Sequence, residues 1–119
     1  MPGTDPIATS VSREDGIAVL TVSGEVDLST VGALEAAIAD ALTGQPGALV
    51  VDLTGVDFLA SAGLQTLVAT HERVSRDALF AVVADGPATS RPIQLTGLDQ
   101  ILSLYPTLAE AIAAVKPQP

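Results

Sequence analysis

The chain has 119 residues and carries 14 acidic side chains against 5 basic ones, a net charge of −9 at pH 7. Such a surface repels phosphate backbones, and Phe58, Phe80 and Tyr105 are too few rings to stack bases, so a nucleic-acid binder is excluded. The absence of cysteine excludes disulfides, thiol catalysis and cysteine zinc sites, and the single histidine, His71, cannot build a histidine-rich metal centre.

With 48% apolar residues the chain has enough material for a core, which argues against disorder. The longest unbroken apolar run, Ala78 to Ala84, is far below the roughly 18 residues of a membrane span. Met1-Pro2-Gly3-Thr4-Asp5 lacks the basic start and apolar run of a signal peptide. The expectation is one acidic domain over 7–115 in the cytoplasm, with loose tails at 1–6 and 116–119. No membrane contact and no cofactor are expected.

Ile7 to Ser12 and Ile17 to Val22 are β-rich and flank Arg13-Glu14-Asp15-Gly16. The Asp-Gly step signals a hairpin, here read as a slightly longer turn. Val31, Leu34, Ile38, Ala41 and Leu42 then recur on one helical face, predicting a helix over 29–42 with Asp27 and Ser29 as cap acceptors. Gly44, Pro46 and Gly47 end it. Ala48 to Leu53 reads as a short strand buried on both faces, interrupted only by Asp52.

A second helix is predicted over 61–75 with Leu64, Leu67, Val68 and Val74 inward. Leu79 to Ala84 reads as another buried strand, and Asp85-Gly86-Pro87 turns the chain. Pro92 falls in the first turn of a short helix that stops near Gly97. Ile101 to Leu104 is read as a last strand, and Pro106 as the opening of a final helix through Val115. The order β-β-α-β-α-β-α-β-α predicts an α/β fold with a mixed, mostly parallel sheet of about five strands and four helices. Loops leaving the C-terminal strand ends share one sheet edge, so the segments around Asp27, Ala60 to Gly63, and Asp85 to Pro87 should meet.

The most informative stretch runs from Val50 to Leu64, where a strand leaves the core and Ser61 begins a helix. Ser61 is expected at the N-cap, where its hydroxyl meets free N–H groups at the positive end of the helix dipole. The same donors favour an anion, so a phosphate adding about −1.5 to −2 charges is tolerated there. Asp27 is expected at the same edge. Glu25 and Asp52 are read as solvated or strand-end charges, and no motif supports a metal site. Leu59-Ala60-Ser61-Ala62-Gly63 superficially matches the nucleophile elbow of serine hydrolases. Leu59 replaces its first glycine, however, and His71 stands about 15 Å further along the same helix, out of reach as a base. His71 is read as a boundary packing residue, and the chain as no enzyme.

The Asp52-Leu53-Thr54 and Phe58-Leu59-Ala60-Ser61-Ala62-Gly63-Leu64 runs resemble the signature of the STAS domain (sulphate transporter and anti-sigma factor antagonist). Gly24-Glu25-Val26-Asp27 and Leu95-Thr96-Gly97-Leu98 resemble further family motifs in the same order. Ser90 to Asp99 is similar to mycobacterial anti-anti-sigma factors of the sigma-F pathway. The resemblance covers about residues 7–115 and implies the STAS fold. It also implies a partner-switching role in stress response: the chain binds an anti-sigma factor that is a serine kinase and frees the sigma factor. Phosphorylation of Ser61 ends the complex, and a serine phosphatase resets it. The implied contact residues are Asp27, Asp57, Ala60, Ser61, Ala62, Gly63 and Leu64. Two positions depart from the family: Ala60 replaces an aspartate and Ala62 a serine or threonine, which strips polar groups from beside Ser61. Asp57, three residues upstream, is a candidate replacement carboxylate. A STAS scaffold that is never phosphorylated is the main rival reading, and a small serine hydrolase the lesser one.

Overall fold

The structure, a computed structural model, describes residues 7–116. The tail expected at 1–6, and residues 117–119 of the one expected at 116–119, lie outside the described residues. Strand β1 (Ile7–Glu14) turns back antiparallel into β2 (Ile17–Val26). The turn is tighter than the sequence reading had it. Only Asp15 and Gly16 connect the strands, both at positive φ (53° and 79°), the two-residue geometry whose twist matches that of the strands.

From β2 the chain alternates: α1 (Val31–Ala41), β3 (Ala48–Leu59), α2 (Ser61–Val74), β4 (Leu79–Val83) and α3 (Ser90–Leu95). A 3-10 turn, Leu98–Gln100, precedes β5 (Leu104–Tyr105), and α4 (Leu108–Val115) closes the fold. The sheet order is β1-β2-β3-β4-β5, with every pair after the first parallel. The mixed five-stranded sheet with four helices is therefore as the sequence implied.

Two cores flank the sheet. On one face Leu20, Val22, Leu49, Val51 and Val82 meet Leu34 and Ile38 of α1, Leu64 and Leu67 of α2, and Ile93 of α3. Burying each large aliphatic side chain contributes roughly 1.5–3 kcal/mol. On the other face Ile17, Val19, Val50, Ala81 and Val83 are covered by Ala111 and Val115 of α4. In α2 the inward set differs from expectation. Val68 is only half-buried, while Thr66 and Thr70 are buried. Each threonine hydroxyl donates to a carbonyl one turn back, Thr66 to Ala62 (3.0 Å) and Thr70 to Thr66 (2.7 Å), which lets a polar residue occupy the core face.

The last strand also shifts. Ile101 is exposed and Leu102 fills the core, so pairing begins only at Leu104. Helix α4 is capped by Thr107, whose hydroxyl accepts from the N–H of Glu110 (3.2 Å), rather than opened by Pro106.

The largest departure is β3. A loop was expected after Leu53, but the strand continues to Leu59 beside β2. Thr21 faces Asp52 and Ser23 faces Gly55; Gly24 faces Val56 and Glu25 faces Phe58. Each step gives β3 one residue more than β2, a bulge at Thr54 and another at Asp57. Strand β4 ends opposite Asp52, so the bulged part of β3 extends past it.

Candidate functional site: the C-terminal edge of the sheet

The three expected loops do meet at one edge. The N–H of Ala60 donates to the carbonyl of Val26 (2.8 Å), tying the end of β3 to the end of β2. Phe58 and Leu59 share a groove of about 450 Å³ with Pro87, Arg91, Pro92 and Leu95 of the third loop and α3.

Ser61 is not the N-cap. Ala60 holds that position in extended geometry (φ −84°, ψ 170°), and its carbonyl accepts from the N–H groups of Gly63 (2.9 Å) and Leu64 (3.2 Å). Alanine offers no side-chain acceptor, so the first turn of α2 keeps free donors. Ser61 is the first helical residue, is exposed, and its hydroxyl makes no hydrogen bond to any described residue.

Gly63 explains why α2 can start here. A Cβ at this position would stand 2.6 Å from Val26 Cγ1 and 2.7 Å from Leu59 Cδ1. The helix start is therefore pressed directly onto the ends of β2 and β3. Leu64 is buried in the main core, so it anchors the helix and offers little surface to a partner.

Asp27 caps the turn that leads into α1 rather than the helix itself, whose N-cap is Thr30 with no side-chain cap bond. Its Oδ1 accepts from the N–H of Ser29 (2.9 Å), the hydroxyl of Ser29 (2.7 Å) and the N–H of Thr30 (3.1 Å). Ser29 is thus a donor to this cap and not an acceptor itself. The Ser29 hydroxyl above all, with the backbone donors of Ser29 and Thr30, holds the Asp27 carboxyl below the usual carboxylate range. Oδ2 is not engaged among the described residues, so the cap leaves one oxygen for an outside contact.

Asp52 corrects the sequence reading. It is only 7% exposed, not a solvated strand end, and it faces the partly covered side of the sheet. Its Oδ1 accepts from the N–H and the hydroxyl of Thr54 (3.0 and 2.8 Å), closing the first bulge. Glu25 is exposed, as expected. Asp57 is exposed on the second bulge and lines the groove that also holds Arg91. His71 is half-buried, its ring tilted at 51° to Phe80 with centroids 6.2 Å apart, which fits boundary packing. Among the described residues no group of three or more His, Cys, Asp or Glu could hold a metal ion. Among them, too, no helix is long and apolar enough to cross a membrane.

Sequence reasoning missed the apolar rim. Leu28 after β2, Phe58 at the end of β3 and Leu95 at the end of α3 are 82%, 52% and 75% exposed. Solvent-facing apolar residues grouped at one edge mark a contact surface. Their signal in the sequence was weak, because each is a single large apolar residue that no local pattern sets apart from a core residue.

The STAS domain model matches residues 8–111 of this chain. The chain belongs to the STAS family. It is 45% identical to the anti-sigma-F factor antagonist RsfB of Mycobacterium tuberculosis over 116 residues, 98% of this chain and 95% of that protein. The crystal structure of an anti-sigma factor antagonist from Mycobacterium paratuberculosis superposes with a TM-score of 0.90 at 50% identity, covering 98% of this chain and all of that one (100%). A putative anti-sigma factor antagonist from Thermotoga maritima, at 22% identity and a TM-score of 0.82 over 92% of this chain and 95% of its own, shares the fold.

Proposed function

We propose that this chain is an anti-sigma factor antagonist that binds a kinase-type anti-sigma factor through the edge bearing Asp27, Phe58 and Ser61. Phosphorylation of Ser61 then ends the complex, and a phosphatase restores it. The chain binds and is modified; it performs no catalysis of its own. The observation that carries this reading is the exposed, unbonded hydroxyl of Ser61 at the first turn of α2, in a chain similar end to end to a named antagonist. The free donors of that turn and its helix dipole offset much of the cost of a phosphate, so the fold survives modification. The partner's surface does not, because two negative charges arrive where apolar side chains were being desolvated.

A second reading is supported by Ala60 and Ala62. With no polar side chain on either neighbour of Ser61, a constitutive antagonist that is never phosphorylated uses the same surface. Intact-mass measurement after incubation with the anti-sigma factor and ATP separates the two. A gain of one phosphate, abolished by Ser61→Ala, is the expected result. Tight binding without mass gain selects the constitutive antagonist, and no binding at all rejects both.

A further inference from the structure

The two ends of the sheet are unlike. Strand β5 is two residues long, whereas β1 is eight and ends the sheet on the other side. Among the described residues nothing pairs with the outer side of β1. Exposed edges are ordinarily protected by lysine, proline, bulges or shortness. Over 7–12 β1 has none of these. It pairs with β2 in unbroken register from Ile7↔Gly24 to Glu14↔Ile17, and its first charged residue is Arg13. In a chain of net charge −9, this is a neutral window of free backbone donors and acceptors.

Helix α1 lies behind the same edge. Arg13 Nη2 donates to the carbonyls of Asp40 (2.8 Å) and Ala41 (3.2 Å), tying the end of β1 to the end of α1. Glu35 and Ile38 line the groove toward α2 together with Thr66 and Thr70. At about 100° per residue, the opposite flank of α1 carries Ala33, Ala37 and Asp40. The helix flank beside the free edge is therefore alanine over its first turns, which permits close approach of a second helix.

We infer that β1 is a self-association edge. Two copies pair β1 against β1, antiparallel about a two-fold axis, joining the two sheets into one with the α1 helices side by side. A strand paired antiparallel with its own copy is self-complementary, and the neutral window is where two acidic chains meet without facing carboxylates. Ser61 follows β3 in the middle of the sheet, so the dimer leaves both partner-binding edges open. The inference does not depend on modification of Ser61.

Sedimentation velocity of the full chain tests it. A concentration-dependent dimer is expected, with a Kd several-fold lower at high salt, because screening weakens repulsion between the two acidic copies. Ser10 and Ser12 are exposed on β1. The double variant Ser10→Lys, Ser12→Lys should weaken the dimer about tenfold or more, with the circular dichroism spectrum and urea midpoint kept. The chain lacks cysteine, so Thr9→Cys should form a disulfide-linked dimer that Ser75→Cys does not. A monomer at every concentration and salt overturns the inference, and so does a dimer indifferent to the lysines.

Discussion

Asp52 and Thr54 form a closed pair inside β3, the carboxylate of one accepting from both the N–H and the hydroxyl of the other. The pair turns an extra residue into a defined bulge and so fixes the path of the strand toward Ser61. Asp52→Ala removes the charged acceptor, and the two donors of the exposed Thr54 turn to water instead of holding the bulge closed. A loss of roughly 1–3 kcal/mol in urea unfolding is expected. Asp52→Asn keeps an acceptor and should lose less. Equal losses for the two substitutions would show that the bulge does not need this bond.

Gly63 presses α2 onto Val26 and Leu59. Gly63→Ala gains helix propensity but adds a methyl where there is no room, and overpacking of this kind costs about 1–3 kcal/mol. The expected net effect is lower stability and weaker partner binding, because the start of α2 must move outward. Urea titration and binding calorimetry read the two effects separately. A more stable variant with unchanged binding would contradict the close packing.

Acid titration reports on Asp27. Its carboxyl is held low in the folded state, so the unfolded chain takes up this proton first as pH falls. The stabilisation is fully present above the unfolded carboxylate range and is lost as pH drops through the lowered folded value. Asp27→Asn should therefore be less stable than the parent at neutral pH. The gap should narrow as pH falls into and below the carboxylate range. A gap independent of pH would place the effect elsewhere than on the charge.

Charge and apolar contact at the edge should act separately on binding. Ser61→Glu is expected to weaken partner affinity about tenfold or more, through desolvation and repulsion, while Ser61→Ala keeps it. Phe58→Ala and Leu95→Ala should each weaken binding with little change in stability, since both side chains face solvent in the free chain. Surface plasmon resonance against the anti-sigma factor reads all four. Matching affinities for the Glu and Ala variants of Ser61 would remove the charge mechanism.

The sequence by itself determined the order of elements, the mixed sheet and the place of Ser61 at a helix start. Those follow from local signals: alternation, 3.6-residue periodicity, and turn residues such as Asp15 and Gly16. The family motifs were legible for the same reason, being contiguous runs. What only the tertiary structure decided lies in contacts between segments distant in the chain. A loop after Leu53 was the natural reading of Thr54, Gly55 and Asp57, yet pairing with β2 makes that stretch a twice-bulged strand. Asp52 looks like a strand-end charge until Thr54 folds back onto it. The net charge of −9 showed what the chain repels. It could not show that Leu28, Phe58 and Leu95 come to one edge, because exposure belongs to the assembled sheet and not to any one residue.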